Sequence, residues 1–160
     1  MKINRLIAIA LIAISTNSFA HQLQVNVSLS PAGNFEAKNL KLKGEIKFEK
    51  DTYTADNLWV KVEDFTTGID LRDEHFKKHF NPSKNPKLTL SKVVAKDEKG
   101  TGILNVNGVD QKIEFTYKIE NKKTIIAKFT TSNALFKLPE AKYMGIGVND
   151  DVEIIATLDL

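Results

Sequence analysis

Ile113-Glu114-Phe115-Thr116-Tyr117-Lys118-Ile119-Glu120 is the stretch on which the fold turns. Apolar and polar residues change places at every step, the period of a strand with one dry and one wet face. The pattern recurs in Val152, Ile154, Ala156, Leu158 and Leu160, with Glu153, Thr157 and Asp159 between them. It returns in Leu58, Val60 and Val62, in Leu88 and Leu90, and in Ile125, Ala127 and Phe129. Turn signals separate these runs at Pro31-Ala32-Gly33, Gly100-Thr101-Gly102, Asn107-Gly108 and Asn149-Asp150. Asn107-Gly108, between two apolar runs, reads as a hairpin turn. The strands expected are about 23–30, 34–40, 42–49, 57–66, 86–96, 101–107, 110–120, 123–131 and 150–160. Eight or nine strands at short spacing make an all-β domain, a sandwich or a barrel. A barrel suits a one-sided pattern well because a closed sheet has a single inside, but a sandwich gives the same alternation. Trp59 and Phe65 fall on the opposite parity from Leu58, Val60 and Val62, which predicts that they pack outside the sheet.

One segment leaves the pattern. Asp70-Leu71-Arg72-Asp73-Glu74-His75-Phe76-Lys77-Lys78-His79-Phe80 predicts a short helix. Asp70 stands where an N-cap would, acids occupy the first turn, and Lys77, Lys78 and His79 occupy the last, as the helix dipole favours. Asn81-Pro82 ends it. The stretch 132–147 is too apolar for a plain loop, with Leu135, Phe136, Leu138, Tyr143, Met144 and Ile146.

The N-terminal residues predict the compartment. Lys2 and Arg5 precede nine uncharged apolar residues, 6–14, and then Ser18-Phe19-Ala20. This is the order of a secretory signal peptide, cleaved after residue 20. Nine helical residues cover roughly 14 Å, too short to span a bilayer. The expected mature domain is 21–160, exported to a periplasm, with no transmembrane segment. Removing residues 1–20 leaves 21 basic against 20 acidic residues, so nothing in the charge argues for nucleic acid as a partner. The chain has no cysteine, so its core alone must hold the fold.

The two irregular segments carry a resemblance. Thr67-Gly68-Ile69-Asp70-Leu71-Arg72-Asp73-Glu74-His75 resembles the Thr-Gly…Arg-Asp-x-His signature of the YceI-like family. Gly33-Asn34-Phe35-Glu36-Ala37 is similar to that family's Gly-x-Phe-x-Ala segment. Lys99-Gly100-Thr101-Gly102 with Val106-Asn107-Gly108-Val109 resembles its central hairpin, and the run from Tyr143 to Val152 resembles the approach to its last strand. The chain departs from the pattern after the helix, where the family often has an aromatic or apolar cluster and then a Tyr-Pro pair; here Phe80-Asn81-Pro82-Ser83-Lys84-Asn85-Pro86 has only Phe80 as a large apolar residue. The resemblance implies an extended, antiparallel, lipocalin-like β-barrel of about eight strands with one short helix. It also implies an elongated cavity that binds long apolar molecules: a polyisoprenoid, a quinone or a similar lipid.

On that reading the cavity is lined from the strands by Leu58, Val60, Val62, Leu88, Leu90, Phe115, Tyr117, Phe129 and Ile154. Leu71, Phe76, Leu135, Phe136, Tyr143 and Met144 are expected at its mouth. Arg72, Asp73 and His75 are candidate headgroup contacts; the alternative is that they only pin the loop to the rim. Apolar burial is strong enough for such a ligand. At about 0.8 kcal/mol per CH₂, three or four isoprene units reach roughly micromolar affinity after association costs. Relatives of this kind allow a homodimer.

Catalytic signals are weak, and neither an enzyme nor a cofactor is expected. Gly-x-Ser-x-Gly is absent, and Gly145-Ile146-Gly147 lacks the third glycine of a dinucleotide loop. His75 and His79 stand one helical turn apart, a zinc-compatible spacing, but without the Glu of His-Glu-x-x-His and with two lysines between them. His21, N-terminal after the expected cleavage, has the chemistry to chelate copper. A metal-binding exported protein or enzyme using His21 or the His75/His79 pair is therefore the alternative reading, while no bound metal is the expectation.

Overall fold

The computed structural model describes residues 21–143 and 145–160; the expected signal peptide, residues 1–20, lies outside the described residues. The described chain is a curled antiparallel sheet with one α-helix. Its strands are β1 (Gln22–Ser30), β2 (Asn34–Asn39), β3 (Lys47–Glu49), β4 (Thr52–Lys61), β5 (Lys87–Lys96), β6 (Lys99–Val106), β7 (Val109–Asn121), β8 (Thr124–Ser132), β9 (Lys142–Tyr143) and β10 (Ile146–Asp159). Their order is β2-β1-β10-β8-β7-β6-β5-β4-β3, with β9 paired to β10.

Closure comes from the chain between β2 and β3. Lys38 exchanges two backbone hydrogen bonds with Thr66, at 2.8 and 2.9 Å, and Lys43 does the same with Trp59. Residues at the β2 edge thus meet the β4 end of the same sheet. The result is an all-β, lipocalin-like barrel with one short helix, as the resemblance implied. The expected strand 42–49 is reduced to Lys47–Glu49 because its first half serves this seam.

Local chemistry explains the turns. Asn107 and Gly108 have φ of 53° and 75°, the left-handed pair a two-residue hairpin requires. Lys50-Asp51 and Asp97-Glu98 take the same conformation without glycine. Two expected turns are absent. Gly100 and Gly102 lie inside β6, and Asn149-Asp150 lies inside β10. At Gly100 a close approach, not a turn, calls for glycine: a Cβ there would stand 2.2 Å from the Phe115 ring.

The expected strand 57–66 begins earlier, at Thr52, and ends at Lys61, where Val62–Asp64 form a 3-10 turn. That turn resets the side-chain parity. Phe65, expected outside, is buried in the main core with Val60 and Val62. Trp59 lies outside the buried core, with Lys87 Nζ at 4.0 Å and Lys43 Nζ at 5.3 Å from its ring centre, but it also borders the cavity inside the barrel.

Helix α1 (Asp70–His79) lies where the pattern predicted it. Its N-cap is Ile69, and Asp70 makes no capping hydrogen bond; the loop is fastened by Asp73 instead. Phe76 fixes the helix to the barrel, with ring centres 5.3 Å from Phe65, 5.1 Å from Phe80 and 6.3 Å from Phe35.

Candidate functional site: an apolar cavity beneath the helix

The inward faces of the strands do not meet. They surround a cavity of about 860 Å³, within the usual size of ligand sites. From the expected set, Leu58 and Val60 of β4, Leu88 and Leu90 of β5, Phe129 of β8 and Ile154 of β10 line it. Helix α1 adds Leu71, Arg72, His75 and Phe76, and Phe136 comes from the 3-10 turn after β8. Much of the main core is therefore the wall of a hollow: Val25, Val27, Val60, Leu88, Val106 and Val152 belong to both.

Other expected residues fall elsewhere. Phe115 and Tyr117 line a second, smaller void of about 60 Å³. Val62 is fully buried beside Phe65, behind the cavity wall. Leu135 is half exposed. Tyr143 is described only by its backbone pairing with Ile146 in β9, and Met144 lies outside the described residues.

The expectation also passed over wall residues that carry a clear signal. Leu23, Val25, Val27 and Leu29 of β1 alternate without interruption and all line the cavity. Leu104 and Val106 of β6, and Val148 and Val152 of β10, do so too. Phe35 of β2, opposite Val27 and alternating with Ala37, and Leu42, next to the seam residue Lys43, line it as well.

Residues that both line the cavity and face solvent mark its rim. Ile69, Leu71 and Lys78 stand on the α1 side, and Glu140, Lys142 and Ile146 on the other. Lys142 and Glu140 pair at 2.7 Å. The opening thus lies between α1 and the 132–147 stretch.

The polar signature is mostly spent on the loop. Asp73 Oδ1 accepts the Thr67 backbone N–H at 2.6 Å and the Thr67 hydroxyl at 2.5 Å, and Arg72 donates to the Thr67 carbonyl at 2.7 Å. Desolvation pushes the Asp73 carboxyl up. The Thr67 hydrogen bonds, with help from Thr66 and Lys77, outweigh it and hold the carboxyl below its usual range. Arg72 packs its guanidinium 4.8 Å over the Phe35 ring, and its Nε is buried with no hydrogen-bond partner. A buried donor left unmade is costly, and among the described residues this is the one buried side-chain nitrogen or oxygen without a hydrogen-bond partner. Burial holds the His79 imidazole below its usual value.

The histidines do not converge on a metal site. His21 Nδ1 accepts the Asp159 backbone N–H at 3.1 Å, whereas His75 and His79 sit on α1 beside the cavity. Among the described residues no three metal-ligating side chains cluster. Among them, too, no helix is long and apolar enough to cross a membrane.

Fold and cavity define the class of a hollow β-barrel with one capped end, and comparison with known proteins agrees. The YceI-like domain matches residues 14–160, and the chain belongs to that family. Among solved structures it is similar to BcnA of Burkholderia cenocepacia, with a TM-score of 0.71 and 19% identity over 88% of this chain and 96% of the other. It is similar to a polyisoprenoid binding domain from Saccharophagus degradans implicated in plant cell wall breakdown, with a TM-score of 0.61 and 14% identity over 87% and 92%. It is also similar to the YceI protein of Campylobacter jejuni, with a TM-score of 0.65 and 19% identity over 80% and 85%. No curated protein matches the chain.

Proposed function

We propose that this protein binds a long apolar lipid, an isoprenoid, quinone or similar molecule, inside the barrel, and carries or sequesters it without chemical change. The observation that carries the reading is the cavity of about 860 Å³ with walls of valine, leucine and phenylalanine. Taking a methylene as water-sized, at roughly 30 Å³, it holds on the order of 25–30 carbons. The structurally similar domain from Saccharophagus degradans, described as polyisoprenoid binding, supports the same ligand class.

The apolar chain would enter past Ile69, Leu71 and Ile146 and lie along Val60, Leu88, Leu90 and Phe129. A ligand oxygen near α1 would lie beside Arg72 and His75, which both line the cavity. Asp73 acts here through the loop and not on the ligand. The family resemblance allows a homodimer. We place the mature protein, starting at His21, in the periplasm.

The test is direct. Protein purified from its native host is extracted with organic solvent and the extract read by mass spectrometry. Stripped protein is then offered a prenyl alcohol. The expected result is one bound lipid per chain, and uptake abolished by Val60→Asp in a variant that retains the strand signal in circular dichroism. An empty barrel that refuses prenyl alcohols, quinones and fatty amides would overturn the reading. N-terminal sequencing of the periplasmic fraction checks the cleavage after Ala20.

A further inference from the structure

The cavity ends on three side chains, and behind them lies more apolar space. Leu58, Leu90 and Phe129 line both the main cavity and the second void of about 60 Å³. The two chambers follow one another along the strands. On β5 the main cavity takes Leu88 and Leu90, and the void takes Leu90, Val93 and Ala95. On β8 the order is Thr131 and Phe129, then Phe129, Ala127 and Ile125. The same three residues therefore form a partition across the barrel.

The partition is seated on bare backbone. Leu58 and Leu90 are cross-strand partners. A Cβ at Gly44 would stand 2.6 Å from Leu58 Cδ2 and 2.5 Å from the Asn57 carbonyl, where φ is also +134°. A Cβ at Gly102 would stand 2.9 Å from Leu90 Cδ1. Both leucines thus lie flat over glycines, a placement that larger residues would forbid.

We propose that Leu58, Leu90 and Phe129 are a length stop: the protein selects its lipid by the length of the tail, because the tail's end abuts this partition. The inference rests on the carrier reading above and adds the residues that set specificity. The arithmetic gives the size of the step. The void of about 60 Å³ takes roughly two carbons at about 30 Å³ each. Leu90→Ala removes three carbons from the partition and joins that void to the cavity. Together they make room for one five-carbon unit.

The experiment uses stripped protein incubated with an equimolar, graded series of linear prenyl alcohols, washed, extracted and read by mass spectrometry. Wild type is expected to retain a narrow range of lengths. Leu90→Ala and Phe129→Leu are expected to move the optimum upward, Leu90→Ala by one unit, raising retention of the next longer alcohol at least about tenfold. Val94→Ala, on β5 but exposed and lining neither chamber, is expected to leave the optimum in place. If both partition variants keep the wild-type optimum, or Val94→Ala moves it equally, the length stop is wrong and the carrier reading survives. If wild type retains no alcohol of any length, the length stop is wrong; if it also refuses quinones and fatty amides, the carrier reading falls with it.

Discussion

Asn39→Ala would test what closes the barrel. Asn39 is the one buried polar residue among those described, with 0% of its surface exposed. Its Nδ2 donates to the Lys61 carbonyl at 2.9 Å, and its Oδ1 accepts the Lys41 backbone N–H at 3.0 Å. The first bond crosses the seam from β2 to β4, and the second holds the chain leaving β2. Alanine orphans one carbonyl and one amide, each costing about 1–3 kcal/mol when buried. Lys41 and Lys61 both have exposed side chains, so water reaches part of the seam and the low end applies, a total of about 2–3 kcal/mol. For a chain of this size that lowers the melting temperature by about 4–12 °C. Urea unfolding should show a lower midpoint with an unchanged slope. Hydrogen exchange should quicken first at the seam amides of Lys38, Lys43, Trp59 and Thr66, before the ladder between β7 and β8. A variant that melts within about 1 °C of wild type, with seam amides exchanging as before, would refute the claim that Asn39 holds the two ends of the sheet together.

Two further perturbations address the helix and the packing around the second void. Asp73 has a folded pKa below its ordinary value of 3.8, so its contribution is complete above that value and is lost as pH falls through the lower folded value. Acid should therefore loosen α1 before the strands, seen as faster amide exchange in 70–79. Asp73→Asn should lose about 1 kcal/mol at neutral pH, the low end for a partly exposed charged acceptor, and should flatten that acid response. An unaltered acid response in the variant would show that another group controls the loop. Gly100→Ala would place a Cβ 2.2 Å from Phe115 Cζ and 2.9 Å from the Ala95 Cβ, an overpacking worth about 1–3 kcal/mol. Adding Phe115→Leu should recover much of the loss, and strict additivity in the double-mutant cycle would mean that the two do not touch.

Alternation revealed the strands that run their whole length with one face dry. β7, β8 and β10 were legible to within a few residues except where β10 begins early, at Ile146. It failed where geometry is set by something other than a period of two. Phe65 keeps its place in the core through the 3-10 turn Val62–Asp64, which shifts parity after β4. The seam at Lys43 and Thr66 leaves only isolated bridges, and bridges have no pattern in sequence. Gly100 and Gly102 looked like turn residues because glycine marks both turns and close packing; only the approach of Phe115 and Leu90 tells which is meant. The candidate site was half visible. The inward residues of β4, β5 and β8 were in plain sight, and those of β1 were equally regular but were not used. Phe35 alternates with Ala37 in β2 and was equally readable, whereas Leu42 takes its place from the seam at Lys43.

What alternation cannot reveal is whether a barrel is hollow, since a packed core and a cavity wall carry the same residues. Side-chain size along the axis does reveal it here. Toward α1 the inward strand positions are mostly aliphatic, five of them the short Val25, Val27, Val60, Val106 and Val152 beside Leu23, Leu29, Leu88 and Leu104, and they leave the middle of the barrel open. The rings there, Phe35, Phe76 and Phe80, arrive from the edge, the helix and the segment that follows it, and close the end instead of filling the middle. At the other end Phe115, Tyr117 and Phe129 project toward Ala55, Ala95 and Ala127, large against small, and leave only about 60 Å³. The sheet is thus nearly solid at one end and open at the other. A tail entering beneath α1 therefore runs out of room where aliphatic residues give way to phenylalanine. That change of residue type, legible in the strands themselves, is the physical basis for expecting the bound lipid to have a defined length.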